Sequence, residues 1–190
     1  MNRFFAMISR MKYIDRWGLM NNTKTENISE HSLETAILAH ALVSIANVRL
    51  HEALDADKAA VIALFHDAGE IITGDMPTPI KYYNPEIKNA YKTVEKVAEE
   101  RLISMLPEDL QAVYRPVISN DDAVLERYVK AADKLSALIK CIEEVRMGNN
   151  EFLKAKESIE KAIGKMELPA LKIFMEECIP SYYLTLDELG

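Results

Sequence analysis

The chain has 190 residues, 49% of them hydrophobic, which is typical of one domain with a continuous apolar core. Its formal charge of −7 argues against binding of polymeric nucleic acid, because a protein that neutralises a row of phosphates needs a basic surface. A single small anion bound in a cleft is compatible with this charge.

Cysteine usage and hydropathy predict a cytoplasmic protein without membrane contact. Cys141 and Cys178 show no CxxC spacing, which fits a reducing compartment, and we expect both to be buried thiols. The apolar run at residues 4–8 is too short for a signal-peptide core and is followed by no small-residue cleavage site. We expect no segment long enough to span a bilayer.

Apolar residues recur at helical spacing along almost the whole chain, and no convincing period-two strand is found. The pattern predicts helices near residues 2–15, 28–47, 56–68, 85–105, 107–114, 121–147, 150–165 and 169–178. The sequence therefore predicts an all-α fold, organised as a single domain over residues 1–190.

Capping residues mark several helix starts. Asn27, with Glu30 three residues later, has the pattern of a capping box, and Asp55 is a candidate N-cap. Asn84 followed by Pro85 has the pattern of an N-cap with proline at the first helical position. These signals support the helix starts that the apolar spacing predicts.

The end of the long helix near residues 121–147 is predicted at residues 148–150, which read Gly-Asn-Asn. Its apolar stripe is predicted to contain Val124, Tyr128, Ala132, Leu135, Ile139 and Ile142. Residues 69–83 contain Gly74, Pro77 and Pro79 and cannot form one continuous helix. We expect an ordered surface segment or a functional loop there.

Four residues have side chains suited to a transition metal: His31, the adjacent pair His66 and Asp67, and Asp133. Two imidazoles and two carboxylates favour Mn, Fe, Co, Ni or Zn over Ca, and an octahedral shell keeps positions open for water and substrate. We predict one divalent transition metal ion, such as Co or Mn.

The positions of these residues add to the prediction. Asp67 is placed near the C-terminal end of a predicted helix, where the helix dipole disfavours a negative charge. Asp133 is placed mid-helix beside apolar residues that predict burial, which is costly for an unpaired carboxylate. His31 is in the first turn of a helix that is apolar on nearly all sides, so it is predicted to face the interior.

Each residue also has a simpler interpretation when it is taken alone. His31 could be a hydrogen-bonded core histidine, and the pair His66 and Asp67 could be hydrogen-bonded to each other at a helix end. Asp133 could pair with Lys130 or Lys134. The placement of the set on three separate helices favours the metal interpretation.

Four short motifs together resemble the HD-domain superfamily and, within it, the bacterial 5'-deoxynucleotidases. They are Ser29-Glu30-His31, His66-Asp67-Ala68-Gly69-Glu70, Gly74-Asp75-Met76-Pro77-Thr78-Pro79 and Ala132-Asp133. The pair Arg16-Trp17, earlier in the chain, supports the same resemblance. The metal residues alone resemble only the superfamily, and the Gly-Asp-Met-Pro-Thr-Pro loop narrows the resemblance to the monophosphatases. It implies an HD-type helical bundle that hydrolyses deoxynucleoside 5'-monophosphates to deoxynucleoside and phosphate.

Candidate catalytic carboxylates follow from the motif positions. Glu70 comes just after Gly69, which can turn the chain, so its carboxylate is predicted to orient or deprotonate the attacking water. The resemblance implies that Asp75 contacts substrate or helps to protonate the leaving 5'-oxygen, and that His31 and Asp133 also contact substrate. The alternatives are a surface glutamate at position 70 and a turn former at position 75.

Arg16 and Trp17 are the candidate nucleotide contacts. A guanidinium is a planar, bidentate donor suited to phosphate, and the resemblance implies that Arg16 orients the phosphate. It also implies that Trp17 contacts the sugar. The alternatives are a solvated Arg16 paired with Asp15 and a core Trp17. Residues 118–121 look about two residues shorter than the family's nucleotide-contacting segment, so no residue there is assigned.

Two other functions stay open. The chain could be a different HD phosphohydrolase, acting on nucleoside triphosphates or cyclic nucleotides, although few cationic residues are near the motifs. It could also be a non-catalytic helical interaction module with a structural metal site. The family resemblance implies a homodimer. The candidate subunit contact consists of Phe174, Met175, Ile179 and Tyr182, and the alternative is that these residues belong to the core.

Overall fold

The computed structural model describes residues 2–81 and 83–190, without the side chain of Thr78. These residues form ten α-helices and three 3-10 helices. The α-helices are α1 Phe4–Ile8, α2 Ile28–Leu50, α3 Ala56–Phe65, α4 Glu70–Thr73, α5 Thr78–Lys81, α6 Pro85–Ile103, α7 Glu108–Ile118, α8 Ala123–Arg146, α9 Leu153–Ile163 and α10 Pro169–Glu177. The 3-10 helices are Ser9–Tyr13, Asn150–Phe152 and Ile179–Tyr183. No β-strand occurs in the described ranges, which confirms the all-α prediction.

Several helix boundaries differ from the sequence prediction, including those of α1, α3 and α7. The helix predicted near 2–15 is divided into α1 and the 3-10 helix Ser9–Tyr13. The helix predicted near 56–68 ends at Phe65, and the chain then turns before α4. Helix α7 was predicted to end near residue 114 but continues past Pro116 to Ile118. The internal proline removes one backbone hydrogen bond, and the burial of Ile118 in the apolar core offsets that loss.

The predicted helix caps are confirmed. The Asn27 side chain accepts hydrogen bonds from the backbone of Ser29 and Glu30, while Glu30 accepts one from the backbone of Asn27. Asp55 and Asn84 cap α3 and α6. The capping box fixes the first turn of α2, which carries His31.

The core is built around α2 and α8, which pack against each other and against α3 and α10. A smaller apolar cluster joins α1, α6 and α7 around Phe4 and Leu102. The predicted stripe of α8 is buried except at Val124, which is 48% exposed. Helix α8 begins at Ala123, and Val124 in its first turn is directed to solvent. The neighbouring Leu125 is buried instead.

Helix α2 corrects one expectation. Among the described residues, one helix, Ile28–Leu50, is long and apolar enough to cross a membrane by length and composition alone. The expectation that no segment has this length was wrong, because Ile28–Leu50 is a continuous helix of 23 residues. In this fold the helix packs against α3, α8 and α10. The absence of membrane contact stays a prediction.

The C-terminal residues considered for a subunit contact belong to the core. Phe174 and Ile179 are buried in the main cluster, and Met175 and Tyr182 pack against it partly buried. Phe174 and Ile179 are therefore core residues, and a subunit contact at this region stays a prediction. Cys141 is buried as predicted, whereas Cys178 is only partly buried.

Candidate active site

Three elements bring the predicted metal residues together. His31 comes from the first turn of α2, His66 is the C-cap of α3, and Asp133 is in the middle of α8. One ligand atom from each of these three residues lies within 4.8 Å of the others. The capping box fixes the position of His31 at the start of α2, and the end of α3 fixes the position of His66. The packing of α2 on α8 brings Asp133 close to both.

Asp67 lies beside this cluster. Its Oδ2 atom is 3.4 Å from Nε2 of His31 and 3.2 Å from Nε2 of His66. The same oxygen accepts a hydrogen bond from Nη1 of Arg16 at 3.2 Å. Asp67 is thus adjacent to the cluster of three, but one of its carboxylate oxygens is paired with a cation of the chain itself.

The hydrogen bonds of the two histidines determine which ring nitrogen is available. His66 Nδ1 is 2.6 Å from the carbonyl oxygen of Ala63, which can only accept, so Nδ1 carries the proton. His31 Nδ1 is 3.0 Å from Oγ of Ser136, and that hydroxyl donates to Glu34 at 2.6 Å. With the proton on Nδ1, each Nε2 carries the lone pair that a metal would bind, and Nε2 of His31 also lies 3.5 Å from the hydroxyl of Thr35.

Electrostatics favour the metal-binding forms of His31, Asp67 and Asp133. Burial lowers the pKa of His31, and the Arg16 cation lowers it further, so the neutral imidazole is favoured. Burial alone would raise the pKa of Asp67, but His66, His31 and Arg16 hold it well below its usual range. For Asp133 the effect of burial is likewise outweighed, first by a hydrogen bond with His31, and its pKa lies well below the usual value. For His66, burial would lower the pKa, but the carboxylates of Asp67 and Asp133 outweigh it and raise the pKa.

Asp133 is less buried than its apolar neighbours predict. Its side chain is 28% exposed, because it lines a cleft rather than the closed core. One oxygen is 3.3 Å from Nε2 of His31, and the other is 3.2 Å from Nζ of Lys134. Asp133 therefore forms the ion pair with Lys134 and also belongs to the candidate metal cluster. These two roles were expected as alternatives from the sequence.

Glu70 is directed inward and is only 8% exposed, so the surface interpretation was wrong. Its Oε2 atom is buried without a hydrogen-bond partner among the described residues. Burial raises the pKa of Glu70 to about 9, and the nearby carboxylates of Asp67 and Asp75 raise it in the same direction. The carboxyl group thus lies beside Asp67 with one oxygen available to a further partner.

Arg16 and Trp17 are held by one carboxylate. Oε2 of Glu26 accepts a hydrogen bond from Nε of Arg16 at 3.0 Å and from Nε1 of Trp17 at 2.9 Å. The Trp17 ring packs against Phe152, with ring centroids 5.3 Å apart. Arg16 is 12% exposed and pairs with Glu26 and Asp67, so the expected alternative of a solvated pair with Asp15 was wrong.

Asp75 follows Gly74, whose φ of 75° is a left-handed conformation that favours glycine. Burial raises the pKa of Asp75, and the backbone N–H of Trp17 lies close enough to its carboxylate to offset part of that rise. Its carboxylate therefore connects the loop after α4 to the loop that carries Trp17. This contact goes beyond the local role of a turn former.

A cleft of about 620 Å³ opens beside the cluster. Six predicted site residues line it, which are Arg16, Trp17, Asp67, Glu70, Asp75 and Asp133. Apolar side chains such as Met20 and Ile159 form much of the remaining wall, together with Lys81, Lys134 and Ser158. His31 is fully buried and is not part of this lining, so its predicted substrate contact stays a prediction.

A second cavity of about 350 Å³ reaches the same carboxylates from another side. It shares Asp67, Glu70, Asp133 and Lys81 with the first cleft. Three further lysines line it, at positions 88, 92 and 130, and Lys134 lines the first cleft. The expectation of few cationic residues near the motifs was therefore wrong, because the fold brings lysines from α5, α6 and α8 to the site.

The donor set fits a divalent transition metal. Nε2 of His66 is buried without a hydrogen-bond partner among the residues that the structure describes, and Nε2 of His31 faces carboxylate oxygens of Asp67 and Asp133. Imidazole lone pairs and carboxylate oxygens that face one another repel unless a proton or a metal ion lies between them. Mixed nitrogen and oxygen donors are the ligands that such metals take.

Three residues around the site were not predicted from the sequence. Glu26 holds Arg16 and Trp17, while Ser136 and Glu34 follow His31 in a hydrogen-bonded chain. Glu26 and Glu34 look like ordinary surface glutamates in the sequence. Only the position of Ser136 on the inner face of α8 was a signal, because a buried hydroxyl needs a hydrogen-bond partner.

Comparison with known proteins identifies the family. The model of the YfbR-like 5'-deoxynucleotidase family matches residues 3–182. A 5'-deoxynucleotidase of Yersinia pestis (strain Pestoides F) is 48% identical over 195 aligned positions, covering 100% of this chain and 98% of that protein. A 5'-deoxynucleotidase of Yersinia pseudotuberculosis serotype O:3 (strain YPIII) shows the same identity and coverage.

Solved structures agree with the predicted fold. An HD-domain phosphohydrolase from Listeria innocua has a TM-score of 0.83 at 23% identity, and the match covers 95% of this chain and 88% of that chain. An HD phosphohydrolase of cyanophage S-2L, solved with dA and one catalytic Zn²⁺ ion, has a TM-score of 0.64 at 21% identity, with 93% and 96% covered. The HD-type helical fold is thereby confirmed. Since the family model spans most of the chain and the Yersinia relatives align along its whole length, the chain belongs to the YfbR-like family of 5'-deoxynucleotidases, as its motifs predicted.

Proposed function

We propose that this chain hydrolyses deoxynucleoside 5'-monophosphates with one divalent transition metal, such as Co or Mn, held by His31, His66, Asp67 and Asp133. The observation that carries the proposal is the convergence of two Nε2 lone pairs with the carboxylates of Asp67 and Asp133 at the wall of a nucleotide-sized cleft. The names of the Yersinia relatives and the Zn²⁺ ion and dA in the cyanophage structure support the same reaction.

The bound metal would lower the pKa of a water molecule and neutralise charge on a phosphoryl oxygen. Glu70 would accept the proton of the attacking water once the charge of a bound metal lowers its raised pKa, since its Oε2 lies beside the cluster. Arg16 would orient the phosphate through its guanidinium. Asp75, on the opposite loop, would protonate or contact the leaving 5'-oxygen. Hydrolysis then yields phosphate and a deoxynucleoside.

Trp17 would contact the sugar. Its indole lines the cleft one residue from Arg16, and its packing on Phe152 keeps the ring rigid. A rigid wall can reject a 2'-hydroxyl by leaving it neither space nor a hydrogen-bond partner, so that the hydroxyl is desolvated without compensation. We therefore expect a preference for deoxynucleotides over ribonucleotides.

The protein is further proposed to act in the cytoplasm as a homodimer on a small-molecule substrate. The free thiols of Cys141 and Cys178 are consistent with a reducing compartment. Light scattering of the purified protein tests the dimer, and a monomer at micromolar concentration would contradict it.

The test combines metal analysis with a phosphate-release panel over dAMP, AMP, dADP, dATP and cyclic AMP. We expect about one transition-metal ion per chain, release from dAMP above all other substrates, and loss of activity on chelation. Asp133→Ala should lose both metal and turnover. The control is Asp57→Ala, since the Asp57 side chain is 96% exposed and lies outside the cleft lining.

The panel also tests the rival HD activities. The lysines around the second cavity could carry a larger phosphate load, so a triphosphatase is the second candidate function. Release of phosphate from dATP in preference to dAMP would favour it. Bound metal without activity on any nucleotide would favour the non-catalytic module and overturn the proposal.

A further inference from the structure

The loop between the 3-10 helix Ser9–Tyr13 and α2 is closed at its base by backbone hydrogen bonds. Ile28 N–H donates to the carbonyl of Ile14 at 3.0 Å, and Arg16 N–H donates to the carbonyl of Glu26 at 2.8 Å. An isolated antiparallel bridge joins Asp15 and Asn27. This closure places Glu26 directly across the loop from Arg16, although ten residues separate them in sequence.

Both side-chain contacts of Glu26 converge on one atom. Oε2 accepts from the guanidinium Nε of Arg16 at 3.0 Å and from the indole Nε1 of Trp17 at 2.9 Å. The side chain of Glu26 is only 12% exposed, so these bonds are largely shielded from water. Because Nε is engaged by Glu26, the Nη atoms of Arg16 are directed toward Asp67 and the cluster.

The backbone of Trp17 is strained in a way that needs support. Its φ of 61° lies in the left-handed region, which is uncommon for an aromatic residue and costs of order 1 kcal/mol or more. The carbonyl of Trp17 accepts hydrogen bonds from Met20 and Asn22. The bond from the indole to Glu26, together with the packing on Phe152, fixes the direction of the ring.

We propose that Glu26 is a positioning residue that joins Arg16 and Trp17 into one rigid unit, and thereby couples phosphate orientation to discrimination at the sugar. Glu26 is not part of the cleft lining and acts only through the other two side chains. The inference rests on the proposed function for its kinetic consequence, but the geometric part stands on the contacts alone.

Trp17 is the only tryptophan of the chain, so its fluorescence reports directly on the ring. Glu26→Gln keeps the size of the side chain and removes the charge that strengthens both hydrogen bonds, above all the one to the Arg16 cation. We expect acrylamide quenching of Trp17 to increase in the folded variant. The matched control is Glu151→Gln, because Glu151 accepts from Asn21 N–H in the same loop but contacts neither Arg16 nor Trp17.

In the metal-loaded enzyme, Glu26→Gln should lower kcat/KM for dAMP by roughly ten- to a hundredfold, the scale of a small misplacement of reacting groups. The ratio of kcat/KM for dAMP and AMP should fall with it. Trp17→Phe lacks the indole N–H, so adding Glu26→Gln to Trp17→Phe should change the sugar ratio little further. Glu151→Gln should match the wild type in every measurement.

A folded Glu26→Gln variant with wild-type quenching and a wild-type sugar ratio would overturn the inference. So would fully additive effects of Glu26→Gln and Trp17→Phe on the ratio. The failure of the proposed function has a different signature. A wild-type protein without nucleotidase activity would contradict the reaction, while the quenching experiment would still decide whether Glu26 holds the indole.

Discussion

Nη1 of Arg16 lies 3.2 Å from Oδ2 of Asp67, so a cation of the chain contacts a carboxylate of the proposed metal ligand set. Burial lowers the pKa of Arg16, but Asp67, Asp133 and Glu26 raise it by more, and the guanidinium stays charged. Arg16 therefore competes with a metal ion for the same negative charge until a substrate phosphate offers it another partner.

We predict that Arg16→Ala binds the metal more tightly than the wild type in the absence of substrate, and still hydrolyses dAMP and AMP more slowly. Removing the competing cation strengthens the attraction between the metal and Asp67, while the phosphate loses its bidentate donor. Metal titration by competition with a chelating dye measures the first effect, and kcat/KM measures the second. Arg10→Ala, at an exposed arginine, is the control. Weaker metal binding in Arg16→Ala would contradict the competition.

Glu70→Gln should spare metal content and substrate binding and lower kcat by roughly a hundredfold or more, the usual scale for loss of a positioned base. The amide keeps the size of the side chain, so the burial of Glu70 is unchanged, but it cannot accept a proton from water. Kinetics of dAMP hydrolysis and a dAMP binding isotherm separate the two effects. A variant with nearly wild-type turnover would make Glu70 a structural residue.

Ser136→Ala should weaken metal binding by about ten- to a hundredfold, the range seen when the outer hydrogen bond of a ligating histidine is removed. The hydroxyl of Ser136 accepts from Nδ1 of His31 and donates to Glu34, which fixes the ring with Nε2 toward the cluster. Ser32→Ala is a matched control, because the buried hydroxyl of Ser32 has no hydrogen-bond partner among the described residues. Equal metal affinity in Ser136→Ala and Ser32→Ala would remove Ser136 from the site.

The chemistry of the site was predictable where the residue type itself is unusual for its position. A histidine in an apolar helix and an aspartate in mid-helix contradict local preferences, so His31 and Asp133 could be recognised from the sequence. Their mutual placement was not predicted from the sequence and comes from the packing of α2 on α8, the two longest helices that the structure describes.

The residues that hold the ligands in place could not be predicted in the same way. Glu26 is an ordinary acidic residue of a loop, and its partners depend on how that loop closes between Ile14 and Ile28. Loop closure leaves no periodic signal in a sequence. The lysines around the second cavity were missed for the same reason, since they come from separate helices that only the fold brings together.

The last prediction concerns the anchor of the loop that carries Arg16 and Trp17. Glu144 is completely buried and accepts hydrogen bonds from the backbone N–H groups of Thr23 and Lys24 at 2.9 and 3.2 Å. It also pairs with Nζ of Lys140 at 2.5 Å. Glu144→Ala should lower the free energy of unfolding by about 3–5 kcal/mol, because it leaves Lys140 as a buried charge without its partner.

This stabilisation should also depend on pH. Burial would raise the pKa of Glu144, but the hydrogen bonds from Lys140, Asn149 and the loop backbone outweigh it and hold the pKa well below its usual value. A carboxyl whose pKa is lower in the folded state contributes its full stabilisation above the unfolded pKa of about 4.3, and that contribution is lost as the pH falls below it. Urea unfolding at pH 7 and at pH 3.5 should therefore show a smaller difference between wild type and Glu144→Ala at the lower pH.

Glu143→Ala, at the exposed neighbour, should unfold like the wild type at pH 7. A difference between wild type and Glu144→Ala that is the same at both pH values would show that lost packing, rather than the charge of Glu144, accounts for the change in stability.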